Sequence, residues 1–269
     1  MAVYSDEKID LIHRIARKQP LKMDVPHFHN KHELYFLESG QTKYVVGSEI
    51  YLVNPGDMVF VPKGTFHKTS GEDGSSTERV LLVFDDGFVG DEYKTYIDEL
   101  VENNFIRLPE EQVYKIKDLC RKIESENKHK LSDYTEMQKL YLRQLIILIS
   151  RYRIKKINTK YSDSFRIIQD AAKYIGENYW NEITLNDLAS KYAMSTSYFS
   201  KQFKSVTGVG LNEYINIIRI GASEKLLLSG NLPITQVAME CGFNDSNYFA
   251  AVFKKLKGIT PKKYSLLNK

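Results

Sequence analysis

Long apolar runs, paired cysteines and a leader-like N-terminus are all missing from this 269-residue chain. The longest apolar stretch, Leu145 to Ile149, falls far short of the roughly 20 residues that a helix needs to cross a bilayer. The two cysteines, Cys120 and Cys241, lie too far apart in the sequence to suggest a disulfide framework. Residues 1–7 contain acidic side chains and no apolar signal core. These absences predict a cytoplasmic protein with no membrane contact.

The chain also lacks catalytic motifs and an excess of acidic residues. The chain has no glycine-rich phosphate loop and no nucleophile elbow, so we do not expect an enzyme. The net charge of +4 is unevenly distributed, because residues 161–269 carry 13 Lys/Arg against 9 Asp/Glu while residues 1–160 are balanced. A polyanionic partner would bind the C-terminal part, although an excess of this size is also common on surfaces that bind nothing.

Residues 24 to about 85 are predicted to form short strands. Segments rich in β-branched and aromatic side chains alternate there with Gly, Pro, Asn and Asp clusters. The predicted strands are Leu34–Leu37, Lys43–Val46, Glu49–Val53, Met58–Val61 and, after a polar loop at 70–78, Arg79–Phe84. Several short strands at this spacing are typical of a sandwich or barrel.

From Pro109 to about Lys156 the apolar residues recur at helical spacing. The first predicted face holds Val113, Ile116, Leu119 and Ile123. The second holds Met137, Leu140, Leu145, Leu148 and Tyr152. We predict two helices with a break near 127–131. The second helix packs either on its own barrel or on the same helix of another subunit, and a polar linker at 157–163 follows.

The C-terminal part contains an internal repeat, with an offset of 49 residues before a turn and 50 after it. One copy runs from Leu188 to Gly208 and the other from Val237 to Gly258. Each predicts a short amphipathic helix, a tight turn and a second helix with buried aromatic anchors. The proposed anchors are Tyr198, Phe199 and Phe203 in the first copy and Tyr248, Phe249 and Phe253 in the second.

These features favour two helix-turn-helix units. Ala189 and Ala238 supply the small residue where the two helices of a unit cross, and Gly242 permits the backbone angles of the turn. Short polar and basic side chains on the outward face of each second helix suit a DNA major groove. That face carries Thr196, Ser197, Ser200, Lys201 and Lys204 in the first unit, and Ser246, Asn247, Ala251, Lys254 and Lys255 in the second. A helical bundle with a solvated face is the alternative.

A long helix is predicted between the two units, from Asn212 to Leu228. Its length of about 25 Å could hold two recognition helices near the roughly 34 Å spacing of successive major grooves. Thr260 and Pro261 predict an N-cap and first turn of a final short helix through Tyr264.

Residues 242–264 read Gly-Phe-x4-Tyr-Phe-x3-Phe-Lys-Lys-x2-Gly-x-Thr-Pro-x2-Tyr. This pattern resembles the C-terminal signature of the AraC family of bacterial regulators, and with the first unit the resemblance covers about residues 165–266. It implies base contacts near Ser197, Ser200 and Lys201, and near Ser246, Asn247 and Tyr248. Ala251 stands where many relatives carry an arginine, which implies weaker base readout by the second unit, with Lys254 and Lys255 at the DNA backbone.

The N-terminal half is similar to the cupin-type effector domain of the same family. One cupin motif stands as His27-x-His29-x3-Glu33-x6-Gly40, and the other as Gly56-x5-Pro62-x-Gly64-x2-His67. In metal-dependent cupins these three histidines and the glutamate bind an ion, and such donors suit Zn, Fe, Mn or Ni. Sensor domains of the family often use the same positions to line a pocket for a sugar or other metabolite. The second motif ends at Gly71 where the cupin pattern has Asn, and His32 points to the opposite face.

The predicted fold is a multidomain α+β chain. We expect a cupin-like β-barrel for effector binding at 1–105, a helical dimerisation and linker segment at 106–160, and an all-α domain with two helix-turn-helix units at 161–269. The expected function is sequence-specific transcription regulation, with activation as the expected sign, controlled by an effector at His27, His29, Glu33 and His67.

The expected partners are double-stranded DNA, a small-molecule effector such as a sugar, RNA polymerase and a second copy of the chain. No cofactor is expected. Two alternatives remain open: a metal-binding cupin that acts as a metal sensor or enzyme, and a constitutive DNA-binding protein whose barrel serves only for assembly.

Overall fold

The computed structural model describes residues 12–17, 29–71, 76–154 and 162–266. Strands dominate the N-terminal part of these residues and helices the rest. The strands are β1 (Ile12–Arg17), β2 (His32–Ser39), β3 (Thr42–Val46), β4 (Glu49–Val53), β5 (Met58–Val61), β6 (His67–Gly71), β7 (Thr77–Phe84) and β8 (Phe105–Ile106). The five strand segments predicted from the sequence are confirmed, with β2 two residues longer at each end and β7 starting two residues earlier than expected. The polar loop predicted at 70–78 is shorter, because β6 runs to Gly71 and β7 starts at Thr77, and β1, β6 and β8 were not predicted.

The strands form two antiparallel sheets that face each other. The larger sheet has the order β1-β7-β2-β5-β8 and the smaller one the order β4-β3-β6. Alternation along β2 sends Tyr35 and Leu37 into the space between the sheets and Leu34 and Phe36 to the outside. The interior is closely filled by apolar and aromatic side chains: Tyr35, Leu37, Tyr44, Val46, Val53, Val59 and Val61.

Four helices cover the outer face of the larger sheet. They are α1 (Asp86–Val89), α2 (Lys94–Glu102), α3 (Glu110–His129) and α4 (Tyr134–Tyr152), with a 3-10 turn at Asp91–Tyr93 between the first two. The predicted pair of helices and the break between them are confirmed. Arg107 and the buried Asp57 form a bidentate ion pair where the chain enters α3.

The apolar face predicted for α4 is partly wrong. The side chains that this helix buries against α3 and the larger sheet are Leu142, Leu145, Ile146 and Ile149. Leu140 and Tyr152, placed on the buried face by the sequence pattern, are exposed instead. An apolar period alone does not fix the direction in which so leucine-rich a helix faces, because several faces are apolar at once.

Seven helices make up the C-terminal part. They are α5 (Asp163–Asn178), α6 (Leu185–Lys191), α7 (Thr196–Thr207), α8 (Leu211–Ser229), α9 (Ile234–Glu240), α10 (Ser246–Lys257) and α11 (Pro261–Tyr264). The predicted helix between the repeats is confirmed as α8, one residue longer at each end. Thr260 caps α11 by accepting a hydrogen bond from the Lys263 backbone, with Pro261 in the first turn, as predicted.

The outer face of the smaller sheet packs directly on the C-terminal helices. Val45, Ile50 and Phe66 from this sheet lie in one continuous core cluster with apolar side chains of α5, α7 and α8. Polar contacts surround this core, since Tyr214 donates to the Gly47 carbonyl at 3.1 Å. We refer to this contact between the smaller sheet and α5, α7 and α8 as the joint. Residues 157–161 of the linker predicted at 157–163 lie outside the described residues, and Ser162 and Asp163 cap and begin α5 instead.

None of the helices in the described ranges is both long and apolar enough to cross a membrane. Cys120 and Cys241 are both buried and free of disulfides.

Candidate functional site

The first repeat forms a helix-turn-helix from α6 and α7. A capping box starts α6, because the Thr184 hydroxyl accepts from the Asp187 backbone while the Asp187 carboxylate accepts from the Thr184 backbone. Ser195 caps α7 through the Tyr198 backbone. Phe199 and Phe203 are fully buried, so they fix which face of α7 points outward.

The outward face of α7 carries the side chains chosen from the sequence. All five are exposed: Thr196, Ser197, Ser200, Lys201 and Lys204. In the second unit, α10 exposes Asn247, Ala251, Lys254 and Lys255, while Ser246 at its first turn is half-buried. Two polar and basic faces, each held by a pair of buried phenylalanines, are therefore available to a ligand.

Tyr198 and Tyr248 are not buried anchors, and that prediction was wrong. Tyr198 is 47% exposed and Tyr248 is 52% exposed. Each tyrosine precedes its buried phenylalanine by one position, which turns it by about 100° to the flank of the helix. The hydroxyl of Tyr248 accepts a hydrogen bond from the Asn216 side-chain amide of α8 at 2.9 Å. Both rings thus join the exposed faces instead of the core.

A polar cluster lies at one end of the barrel. The side chains of His29, Glu33 and His67 offer ligand atoms within 4.8 Å of one another. Each histidine ring is oriented by a backbone carbonyl, since His29 Nδ1 lies 2.7 Å from the Lys31 oxygen and His67 Nδ1 lies 3.0 Å from the Thr65 oxygen. These contacts leave the Nε2 atoms 3.3 Å and 3.8 Å from one Glu33 oxygen.

The other oxygen of Glu33 accepts a hydrogen bond from Tyr44 at 2.7 Å. Burial would raise the pKa of the Glu33 carboxyl, but the hydrogen bond from His29 and the charge of His67 outweigh it and hold that pKa at about 2. Burial lowers the pKa of His29, but the hydrogen bond to Glu33 and the charge of that carboxylate outweigh the burial, so the pKa of His29 is raised. The cluster is therefore a negative, buried site that favours a positive charge between the two rings.

The donor set fits a divalent metal ion. Two imidazole Nε2 atoms and a carboxylate converge, and each Nδ1 contacts a backbone carbonyl, a contact that orients the ring of a metal-binding histidine. His27, the third histidine of the cupin motif, lies outside the described residues. Of the four predicted residues, the structure therefore brings three together.

His32 faces away from this cluster, as the strand alternation predicts. It stacks on Phe60 with ring centroids 5.2 Å apart, and its Nε2 lies 2.9 Å from a carboxylate oxygen of Asp86 at the start of α1. Burial lowers the pKa of His32 despite that carboxylate. Its role is to connect the sheet to α1.

Two further residues of this region, Lys68 and Arg79, were not predicted from the sequence. Lys68 follows His67 on β6, points out of the barrel, and donates to the Gly208 carbonyl at the end of α7 at 2.8 Å. Arg79 lies on the inward face of β7 and is 3% exposed. The period-two pattern Thr77, Arg79, Leu81, Val83 placed an arginine on an inward face and could have revealed it.

Comparison with known proteins identifies two domain families. The family model described as "Helix-turn-helix domain" matches residues 188–266, and the family model described as "Cupin domain" matches residues 17–84. The HTH-type transcriptional activator RhaR of Mannheimia succiniciproducens is 24% identical over 93% of this chain and 93% of its own length.

Two further relatives are similar to parts or to the whole of the chain. An uncharacterized HTH-type transcriptional regulator of Pseudoalteromonas carrageenovora is 43% identical over 36% of this chain and 58% of its own length. The solved structure of ToxT from Vibrio cholerae is 17% identical, covers 94% of this chain and 97% of its own, and has a TM-score of 0.37.

Proposed function

The chain belongs to the AraC family of transcription regulators, with a cupin domain followed by an AraC-type helix-turn-helix domain, and from this we propose how it is controlled. A small molecule bound in the barrel changes the affinity of the two helix-turn-helix units for a specific DNA sequence. The named relative RhaR is a transcriptional activator, and we extend activation to this chain.

The exposed faces of α7 and α10 support the DNA-binding part of the proposal. We assign base readout to Ser197, Ser200 and Lys201 in the first unit, and to Asn247 and Tyr248 in the second. The remaining candidates, which contact the DNA backbone or the edge of the groove, are Thr196, Lys204, Ser246, Lys254 and Lys255. Between the units, α8 has 19 residues and therefore a length of about 28 Å, close to one helical repeat of DNA.

The position of β6 carries the proposal that the barrel controls this binding. Its residue His67 faces the polar cluster inside the barrel, and the next residue, Lys68, donates to the Gly208 carbonyl that ends α7. A ligand that moves β6 therefore also moves the end of the first recognition helix. Such a ligand would shift the population between DNA-competent and DNA-incompetent arrangements of the joint.

A second copy of the chain and RNA polymerase complete the proposed partners. We place dimerisation in the predicted segment 131–156. Although α4 buries most of its apolar residues within its own subunit, Leu131 and Leu140 remain exposed at 69% and 54%. Sedimentation of wild type and Leu140→Glu at several concentrations tests this, and an unchanged oligomeric state in the variant would rule out this surface.

The central test is selection of a DNA site from random duplexes with the full-length protein. We expect one consensus sequence, and we expect Lys201→Ala to bind it at least tenfold more weakly. Lys128→Ala, which changes an exposed lysine of α3, is the matched control and should bind normally. Selection that yields no consensus, or equal losses in both variants, would contradict sequence-specific binding through α7.

The convergence of His29, Glu33 and His67 favours a second candidate, a metal-sensing or metal-dependent cupin. A bound ion would supply Lewis-acid chemistry at these three side chains. Metal content per chain, measured for wild type, His67→Ala and the exposed-histidine control His129→Ala, tests it. Near-stoichiometric metal lost only in His67→Ala supports this candidate, and metal-free wild type that still binds its DNA site removes it.

A further inference from the structure

Arg79 lies inside the barrel, where apolar side chains would be expected. On β7 it is two residues before Leu81, which packs in the interior cluster, and it pairs in register with Leu37 of β2. Only 3% of Arg79 is exposed. Its guanidinium carbon lies 5.8 Å from the centroid of the Tyr35 ring, within cation–π range.

Three buried polar atoms of the barrel interior, one each on Arg79, Tyr35 and Thr69, lack hydrogen-bond partners. Among the described residues, no carboxylate forms an ion pair with Arg79, and its Nε has no acceptor. The hydroxyls of Tyr35 and Thr69, both 1% exposed, are also without partners. The nearby carboxylate of Glu33 is already engaged by Tyr44 and the two histidines.

This group of atoms is rich in donors and poor in acceptors. A buried guanidinium is always charged and carries five N–H donors. Burial raises the pKa of Tyr35 to about 12 even beside the arginine, so its hydroxyl also keeps a proton to donate at neutral pH. A folded chain rarely leaves a guanidinium N–H and two hydroxyls unsatisfied in its core, because each costs free energy until a partner arrives.

We propose that the effector is a small hydroxylated organic acid, of the class of sugar acids, whose carboxylate binds Arg79. The Tyr35 and Thr69 hydroxyls complete the carboxylate site. The hydroxyl groups of the acid extend toward Tyr44 and Glu33, since the Tyr35 and Tyr44 ring centroids are only 4.9 Å apart. This inference rests on the proposed function of the barrel as an effector site.

Ligand entry must displace side chains. Tyr35 and Tyr44 fill the interior, at 1% and 0% exposure. A carboxylate reaches Arg79 only when the Tyr35 ring tilts away from the guanidinium while its hydroxyl stays in the site. Tyr44 belongs to β3, the central strand of the smaller sheet, so repacking of the two rings is transmitted to the sheet that forms the joint.

The first experiment needs no ligand. Thermal unfolding of the full-length chain is compared for wild type, Arg79→Met and Arg107→Met. Arg79→Met removes an uncompensated charge, so we expect its Tm to rise by about 2–4 °C. Arg107→Met is the matched control, and its Tm should fall because it leaves the buried Asp57 without its cation. A Tm that falls equally in both variants would show that Arg79 is structural and would overturn the proposal.

The second experiment identifies the ligand class by calorimetry with matched pairs. The acids are glucuronate, galacturonate and mannuronate, and the neutral partners are glucose, galactose and mannose. We expect at least one acid to bind wild type tenfold or more tightly than its neutral partner. Arg79→Gln should abolish that advantage, and Arg143→Gln, which changes an arginine outside the barrel, should keep it. No advantage in wild type, or an advantage that persists in Arg79→Gln, would overturn the proposal.

Measuring affinity for the selected DNA site in the same samples separates the two proposals. An acid that binds through Arg79 and leaves the DNA affinity unchanged supports the ligand class and contradicts the regulation. A neutral sugar that shifts the DNA affinity equally in wild type and Arg79→Gln supports the regulation and contradicts the ligand class.

Discussion

Ala193 and Gly242 occupy the same place in the turns of the two helix-turn-helix units, and both have a positive φ, +52° and +82°. Glycine adopts this conformation freely, whereas a side chain there is strained. At Gly242 space is also limiting, because an added Cβ would lie 2.8 Å from the backbone oxygens of Tyr179 and Trp180. The sequence indicated the role of Gly242, and only the structure shows that Ala193 adopts the same left-handed backbone conformation with strain.

We therefore expect opposite effects from exchanging these two residues. Ala193→Gly should stabilise the chain by up to about 1 kcal/mol, because it removes left-handed strain. Gly242→Ala should destabilise it by more than that, since it adds both strain and a backbone clash. Urea midpoints at unchanged m-value measure both effects. A lower midpoint for Ala193→Gly would show that flexibility of this turn outweighs the relief of strain.

Tyr248 shows what a sequence pattern leaves undecided about a single side chain. Its spacing from Phe249 and Phe253 suggested a common core, but the ring lies outside it and is held by Asn216. Helical spacing identifies neighbours on a face and does not reveal a hydrogen bond from another helix. Asn216 is therefore a positioning residue that sequence analysis could not find.

Asn216→Ala and Tyr248→Phe should weaken binding to the selected DNA site by similar factors. Each removes the same hydrogen bond, worth about 1 kcal/mol or roughly fivefold in affinity. Because both changes remove the same bond, the double variant should bind DNA no more weakly than either single variant. Asn212→Ala, on the same helix and exposed, is the control. Full additivity of the two changes would mean that the bond does not position Tyr248.

At the scale of elements, strands and helices followed their sequence periods closely. Runs of β-branched and aromatic residues between turn signals predicted the five strand segments, and the repeat predicted both helix-turn-helix units. The buried face of α4 was misjudged because its leucines and isoleucines are apolar on more than one side. The exposed residues of α10 lie at different positions along the helix, since Asn247 is in its first turn and Lys255 is near its last turn. These two should therefore contribute differently to DNA recognition.

Lys255→Ala should weaken binding about equally to all DNA sequences and lower the slope of log affinity against log salt by about 1. Asn247→Ala should reduce discrimination between the selected site and its point variants, with the slope unchanged, because base contacts release no counterions. Fluorescence anisotropy at four salt concentrations gives both quantities, with Lys225→Ala as the control. Equal slopes for wild type and Lys255→Ala would move this lysine out of the interface.

At the scale of the whole molecule, the least predictable feature is the joint. Its apolar residues were visible in the sequence, since β3 and β4 carry apolar side chains on both faces. Such a strand must be covered on both sides, yet nothing in its sequence says by which element. Here the covering helices include α7, so the smaller sheet packs against the first helix-turn-helix unit. Gly176 of α5 permits the closest approach, because an added Cβ would lie 2.5 Å from the Ser48 Cβ.

Gly176→Ala should therefore loosen the joint without harming either half. We expect faster trypsin cleavage after Lys155, Lys156 or Lys160 between the halves, and an altered DNA affinity in the absence of any effector. Gly221→Ala is the control, since its added Cβ would meet no atom within 4 Å. It should stabilise α8 by up to about 1 kcal/mol. Identical cleavage rates in the two variants would show that the joint does not depend on this approach.

The shared core of the joint also limits how this protein can be recombined. Phe199 and Phe203 share a core cluster with Val45, Ile50 and Phe66 of the barrel. A chimera that joins another barrel to these helices would leave that cluster incomplete unless the new barrel reproduces these three residues. It would also need a lysine at position 68 to reach the end of α7. The unit of exchange for building new biosensors is thus a barrel together with its outer sheet face, and not a domain cut at the linker.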